Sequence, residues 1–395
     1  MKKLFTILVV VMCMLSMTAC SSSGNSNNNN NQANDVQAIK IGGSGPTSGD
    51  YAKYGNAVKN AAQLAVDEIN ALGGVQFVLN FQDDQGDPDQ AETAFGTLMD
   101  WGMQLSLSTT TSGAGIRVSP LYEENHIFAM TPSGSNPLLT LKGDGNNEND
   151  YYGNIFQMCF TDPNQGIASA DYISMNNLGS SIAIIYENDI DYSVSVYNKF
   201  MEQAKNLGLN VVYEGTFVDA DTDFSVQLTA AQQAGADLVF LPIYYKHATY
   251  ILNQANTMNY APIFFGVDGM DGILGQDGFD SSIAEGVYLL TPFSATSPDS
   301  NVQHFVSEYQ SKFGSTPNQF AADAYDAVYA MYECVKAGNI TADMSAQDIC
   351  DAMVDQILAL TFTGVTGESK WQANGQVTKV PMTVVIHDGA YTDPQ

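Results

Sequence analysis

Positive charge is what this chain has least of. It carries 14 lysines and arginines against 43 aspartates and glutamates, a net charge of −29. Such a surface repels phosphate backbones and anionic membrane faces, which argues against nucleic acid as a partner. The four histidines, His126, His247, His304 and His387, are scattered singly, and neither HExxH nor GxSxG occurs. Serine clusters with no obvious base beside them make poor nucleophiles, so no enzymatic activity is expected. No GxxxxGK[ST] is present, and the chain is therefore not itself an ATPase. The glycine turn at 43–49, GSGPTSG, does not make a dinucleotide site, because Ser48 stands at the third-glycine position and Pro46 removes a backbone donor.

Metal ligands at recognisable spacing are also missing. Two acidic runs, Asp83, Asp84, Asp87 and Asp89, then Asp219, Asp221 and Asp223, resemble calcium loops but fail the EF-hand pattern. Pro88 and Phe224 stand where glycine is needed, and Ala230 replaces the bidentate acid of the second run. Helix capping and solubility account for both runs, so neither a metal nor a cofactor is expected. Cysteine is sparse as well. Beyond Cys13 and Cys20 only Cys159, Cys334 and Cys350 remain, an odd number that excludes a complete disulfide framework. Buried thiols are favoured over a Cys334–Cys350 bond.

The apolar run Leu4–Leu15 is too short to span a bilayer as a permanent helix. Lys2 and Lys3 precede it and Met17-Thr18-Ala19 lead to Cys20, so residues 1–19 read as a signal peptide. The segment from Ser21 to Gln37, SSSGNSNNNNNQANDVQ, has no apolar periodicity and reads as a disordered tether reaching about 20–25 Å.

What is present begins at 45–75, GPTSGDYAKYGNAVKNAAQLAVDEINALGGV. Tyr54, Val58, Ala61, Ala62, Ala65, Ile69 and Leu72 fall on one face of a helix that Gly73 and Gly74 terminate. Residues 38–41 form a short strand aimed into the 45–49 turn, half of a βαβ unit whose ligands belong at strand carboxyl ends. Strands and helices then alternate. Strands are expected at 75–82, 104–110, 127–133, 181–189, 210–218, 236–245 and 261–269, with helices between them, and residues 138–153 make a surface excursion. This rhythm predicts an α/β protein with doubly wound parallel sheets. At 395 residues the chain is too long for one core and suggests two domains.

The 45–74 stretch resembles the start of the amino-acid-binding receptors of ABC importers, the leucine/isoleucine/valine-binding protein family. Gly45-Pro46, Ser48-Gly49-Asp50, Tyr54-Gly55 and the helix end Ile69–Gly74 carry the likeness. It continues through NIFQMCFTDPNQG (154–166), ADTDFSVQL (220–228), GVYLLTPFS (286–294), NQFAADAYDAVYAMYECVKAG (318–338) and TFTGVTGESKWQANGQV (361–377). Gln157 stands where the family usually has Arg, so an ion pair would be missing there. The small residues before Cys20 resemble a bacterial lipobox, with Met17 in place of the usual Leu.

The resemblance implies two doubly wound parallel-sheet lobes joined by a three-segment hinge. Lobe 1 would be 38–160 and 289–364, and lobe 2 would be 161–288 and 365–395, with the lipidated Cys20 and tether at 20–37. It implies a receptor on the extracytoplasmic face of the cell membrane, held by its lipid, that binds a small amino acid or related solute and delivers it to ABC permease subunits. A ligand-sensing receptor reporting to a signalling partner would use the same lobes. By the resemblance, Ser112 and Ser135 bind the solute's α-carboxylate, with Gly113 beside them and Ser133 offering backbone contacts. Asp268 takes the α-ammonium, one methylene shorter than the family's Glu, and Asp271 is a weaker substitute. Tyr54, Tyr192 and one of Tyr244 and Tyr245 match the aromatic pocket positions.

Overall fold

The computed structural model describes residues 37–394. The expected signal peptide, Cys20 and all of the tether except Gln37 lie outside the described residues. The first strands are β1 (Ile39–Gly45), β2 (Phe77–Asp83), β3 (Leu105–Ser106), β4 (Phe128–Thr131) and β5 (Ile155–Gln157), with helices α1 (Ala52–Leu72), α2 (Pro88–Trp101) and α3 (Ser112–Glu124) between them. They form one parallel sheet in the order β2-β1-β3-β4-β5. The chain continues with α4 (Asp162–Met175), β6 (Ile182–Glu187), α5 (Asp191–Leu207), β7 (Val211–Phe217), α6 (Ser225–Gln233), β8 (Leu238–Leu241), α7 (Tyr245–Thr257), β9 (Ile263–Gly266) and β10 (Tyr288–Thr291). After them come α8 (Ser300–Phe313), α9 (Gln319–Ala337), α10 (Ala346–Ala359), β11 (Thr361–Gly364), β12 (Gly367–Trp371), β13 (Val377–Thr378), β14 (Met382–His387) and β15 (Ala390–Thr392).

The second sheet repeats the winding of the first. Its order is β7-β6-β8-β9-β10, extended by β14 and β15, which run antiparallel. The two sheets head two α/β lobes, the architecture the sequence predicts. In each, the chain winds one way from its first strand and then the other, leaving a crevice between β1 and β3 and between β6 and β8.

Local chemistry sets these elements. In α1 the residues Tyr54, Val58, Ala61, Ala62, Ala65 and Ile69 are buried, and such side chains contribute roughly 1.5–3 kcal/mol each when large and aliphatic. Leu72, the last residue of the helix, departs from the expected stripe and is 67% exposed. Gly73 and Gly74 take φ values of 74° and 87°, which end the helix where a side chain would be strained. Asp87 accepts from the Gln90 amide at 2.9 Å and Pro88 occupies the first helical position of α2. Asp223 accepts from the Ser225 amide at 2.9 Å at the start of α6. Helices α1 and α9 pack together, α2 and α3 form a separate pair around Phe95 and Tyr122, and α4 packs on α5.

Two expected hinge positions shift. Residue 289 lies inside β10, a strand of the second sheet, so the return to the first lobe comes later than expected. Residue 365 lies between β11 and β12, which with β13 make a small sheet against α9 and α10, so the last crossing also comes later. Sequence likeness marked these segments but could not locate where pairing partners change. Gln157 makes no ion pair. Its side-chain amide donates to the carbonyls of Gly134 at 3.0 Å and Asn136 at 3.2 Å, neutral acceptors that need no charge. Cys159, Cys334 and Cys350 are free and buried, so the Cys334–Cys350 bond is absent. Among the described residues no helix is long and apolar enough to cross a membrane.

Candidate functional site

The loops leaving β1, β3 and β4 meet those leaving β6, β8 and β9 around a space of about 10 Å3, room for roughly one water. Tyr54, Thr110, Thr111, Ser112, Ser133, Ser135, Tyr192, Tyr244, Asp268, Gly269 and Phe320 line it. Seven of these were named from the sequence. They come from six loops or helix starts that only the two crevices bring together.

The first-lobe wall is made of hydroxyls and helix-start amides. Ser108 takes φ +52, a conformation most side chains avoid, and turns the chain from β3 into this wall. Ser112 opens α3, whose first backbone N–H groups have no partner within the helix and favour an anion. Its Oγ accepts from the Asn136 amide at 3.3 Å. Ser133 Oγ donates to the Thr110 carbonyl at 2.5 Å, tying the β3 and β4 loops to each other. Ser135 is 1% exposed, and its carbonyl accepts from the Asp162 amide at 3.0 Å. Gly113, the second residue of α3, is partly exposed and is not among the lining residues, and a Cβ added there would meet only Pro88, 3.9 Å away.

The second-lobe wall carries charge. Asp268 is 4% exposed and Tyr192 donates to its Oδ1 at 2.5 Å. Burial pushes the Asp268 carboxyl up to about 7 despite that hydrogen bond, and nearby Asp323 adds to the rise. The Tyr192 hydroxyl also accepts from the Gly269 amide at 3.0 Å. Gly269 has to be glycine, since a Cβ there would sit 2.8 Å from that hydroxyl and 2.9 Å from the Ile243 carbonyl. Tyr244 stacks on Tyr192 with ring centres 4.9 Å apart and meets Tyr54 edge-on at 5.5 Å.

The neighbouring tyrosine points elsewhere. The Tyr245 hydroxyl donates to the Asp50 carbonyl at 2.8 Å and accepts from the Lys53 amide at 3.3 Å, fastening α7 to the start of α1. Tyr244, not Tyr245, faces the enclosed space. The Tyr54 hydroxyl crosses between lobes to donate to the Gly269 carbonyl, and it accepts from the Tyr245 amide at 3.3 Å. Asp271 is also placed away from the site. Its oxygens accept from the Gly272 amide at 2.7 Å and the Gln319 amide at 3.1 Å, so backbone donors already occupy it.

Sequence reading missed Gly269 and Phe320 as wall residues and Asp162 behind them, and it placed Thr110 and Thr111 only within the hydroxyl-rich run that leaves β3. Phe320 is edge-on to Tyr54 at 4.7 Å but sits in a helical apolar stripe that any core helix would show. Asp162, in the first turn of α4, is fully buried with neither carboxylate oxygen hydrogen-bonded. Burial holds its carboxyl well above the usual range against the opposing pull of the nearby Ser135 hydroxyl, and the charge of Asp268 adds to the rise. In the sequence it reads as an ordinary helix start before Pro163. Two buried acids near one another, with hydroxyls and helix-start amides opposite, suit a zwitterion: cation at the acidic end, anion at the amide end.

The sequence pattern of the periplasmic binding protein family matches residues 38–389. The Leu/Ile/Val-binding protein BraC3 of Rhizobium johnstonii is 29% identical over 318 residues, covering 78% of this chain and 81% of that one. Leu/Ile/Val-binding protein homolog 3 of Brucella melitensis is 28% identical over 235 residues, and that match spans 59% of this chain and 61% of the relative. Among solved structures, the branched-chain amino acid transporter substrate binding protein LivJ of Streptococcus pneumoniae, in complex with isoleucine, superposes with a TM-score of 0.79 at 27% identity, covering 90% of this chain and 98% of that one. The chain belongs to the periplasmic binding protein family, whose members are substrate-binding receptors and not enzymes.

Proposed function

We propose that this receptor binds a small α-amino acid between its lobes and delivers it to an ABC permease. The observation that carries the reading is the opposition of walls. Ser112, Ser133 and Ser135 stand with helix-start amides on one side, and the Tyr192–Asp268 pair stands on the other. The α-carboxylate docks on the first wall, and the α-ammonium supplies the positive partner that a buried carboxylate otherwise lacks. Tyr54, Tyr244 and Phe320 surround the side chain. Because only about 10 Å3 is enclosed, solute entry requires the lobes to part and reclose. Branched-chain solutes are favoured by the relatives named for Leu, Ile and Val.

The hinge in this reading comprises the crossings near Met158, Phe293 and Lys379. Lys379 supports it: fully buried, it donates to the Met158 carbonyl at 2.8 Å and pairs with Asp323 at 2.5 Å. We further propose that Cys20 is lipidated and residues 21–37 tether the receptor to the extracytoplasmic face of the membrane. Cys20→Ala should release the protein or leave its precursor unprocessed, and persistence of lipid labelling in that variant would overturn the anchor. For the solute, a thermal-shift screen across the amino acids is the direct test. A bound solute at about 100 times Kd adds roughly 2.7 kcal/mol of stability. The reading predicts stabilisation by an α-amino acid and none by the same molecule without its amino group.

A further inference from the structure

We propose that Glu187, His247 and Asp219 form a binding site for a divalent cation of the zinc class at the lip of the cleft. Glu187 ends β6, Asp219 lies just past β7, and His247 stands in the first turn of α7. One ligand atom from each lies within 4.8 Å of the others. The Glu187 and His247 side chains are 1% and 0% exposed. Both carboxylate oxygens of Glu187 and Nδ1 of His247 lack a hydrogen-bond partner.

The tautomer follows from geometry. His247 Nε2 is 3.0 Å from the Asp219 backbone carbonyl, which can only accept, so Nε2 carries the hydrogen. In the neutral imidazole Nδ1 then presents a lone pair to Glu187 Oε2, 3.4 Å away. Two buried acceptors facing each other call for a positive charge between them. Their separation is longer than an ordinary N–H···O bond of about 2.7–3.2 Å. It matches the roughly 3.3 Å edge between two ligands each about 2.0–2.1 Å from a tetrahedral zinc. A backbone carbonyl on the opposite ring nitrogen is also the usual orienting partner of a metal-bound imidazole.

The surroundings fit a cation. Phe217 and Phe224 hold the imidazole, with ring centres 4.9 and 6.1 Å away. Asp219, 55% exposed, provides the entry path and the third donor, and water completes the shell. Asp189 adds negative charge beside it, with its carboxylate 3.4 Å from the Asp219 amide. The opposing charge is Lys246, 3.0 Å from both Asp219 Oδ1 and Asp50 Oδ2. Tyr51 also donates to Oδ1, at 2.9 Å, and Oδ1 lies 3.8 Å from His247 Nε2. Since Tyr51 and Asp50 belong to the first lobe, the ion sits on the contact that forms when the lobes meet.

Chelator-treated protein titrated calorimetrically with zinc chloride tests this. One equivalent should bind saturably, and Glu187→Gln and the exposed Asp219→Ala should each weaken binding at least about tenfold. Asp144→Ala, at a distant exposed acid, should leave it unchanged. Absence of saturable uptake overturns the site, and so does zinc binding that neither variant weakens. A pH-dependent stability abolished by Glu187→Gln without any zinc uptake would mark a proton shared by Glu187 and His247 and would equally overturn it. Solute-induced thermal shifts stand apart from every one of these outcomes.

Discussion

The two lobes wind their sheets alike yet meet the cleft with opposite chemistry. On the first, β3 and β4 end in Thr110–Ser112 and Ser133–Ser135, short hydroxyl side chains with helix-start amides behind them. On the second, the corresponding strands end in Tyr192, Tyr244 and Asp268. A neutral wall of dipoles can receive an anion without holding any charge of its own, so it tolerates burial unaided. A buried carboxylate cannot, and the burial that pushes Asp268 up to about 7 leaves its charged form in need of a partner. The same fold therefore supplies one wall that is stable as it stands and one that is completed by its solute.

Removing the charged wall should have the larger effect. Truncating one member of a buried charge pair costs about 2–5 kcal/mol, so Asp268→Ala should raise the amino-acid Kd by roughly thirty- to several-thousandfold in calorimetric titration. Wild type should reject the ligand lacking its amino group, and the variant should reject it much less. If Asp268→Ala keeps full affinity, the ammonium assignment fails.

The same wall should show in the pH dependence of the unliganded protein. Native Asp268 holds its proton to about pH 7, whereas the unfolded chain releases it near 3.8. Between those values the native state binds more protons, so stability falls as pH rises through the window. At about 1.4 kcal/mol per unit the upper bound is about 4 kcal/mol. Asp268→Asn should flatten that decline in chemical denaturation from pH 4 to 7.5. Asp84 and Asp323, both pushed up to about 6, keep a residual slope in the variant. Equal slopes in the two proteins would show that Asp268 is ionised throughout.

The neutral wall should respond more modestly. A hydrogen bond to a charged group contributes about 1.5–3 kcal/mol, so Ser112→Ala or Ser135→Ala should weaken binding roughly ten- to a hundredfold. Melting of the unliganded protein should barely move. A matching loss of stability would make these serines structural and erase the contrast between walls.

Much of this was legible along the chain because its causes are local. The stripe of α1, the Asp87–Pro88 start of α2 and the alternation of strands with helices depend on neighbours within a few residues. Tyr54, Ser112, Ser133, Ser135, Tyr192 and Asp268 were marked by motif at strand ends, and they line one space. Helices α8 and α10, by contrast, carried no assigned signal, and the hinge segments were recognisable without revealing where pairing changes. Gly113, bonded to Ser112, is not itself among the lining residues.

By itself the sequence determined the alternation of strands and helices, the stripe of α1 and the hydroxyl or acidic character of each loop, since backbone preference and side-chain periodicity act over one or two turns. Tertiary structure alone decided which of Tyr244 and Tyr245 faces the space, because adjacent residues at a helix start point apart and only the packed lobes say which direction is inward. It decided that Asp271 is bound by backbone amides while Asp162 is left bare, a difference made by Gln319 and by burial rather than by either acid. It also joined Glu187, Asp219 and His247, which share no spacing rule and meet only because three loops leave one sheet edge together. Burial and encounter are properties of the closed chain, and no window of sequence contains them.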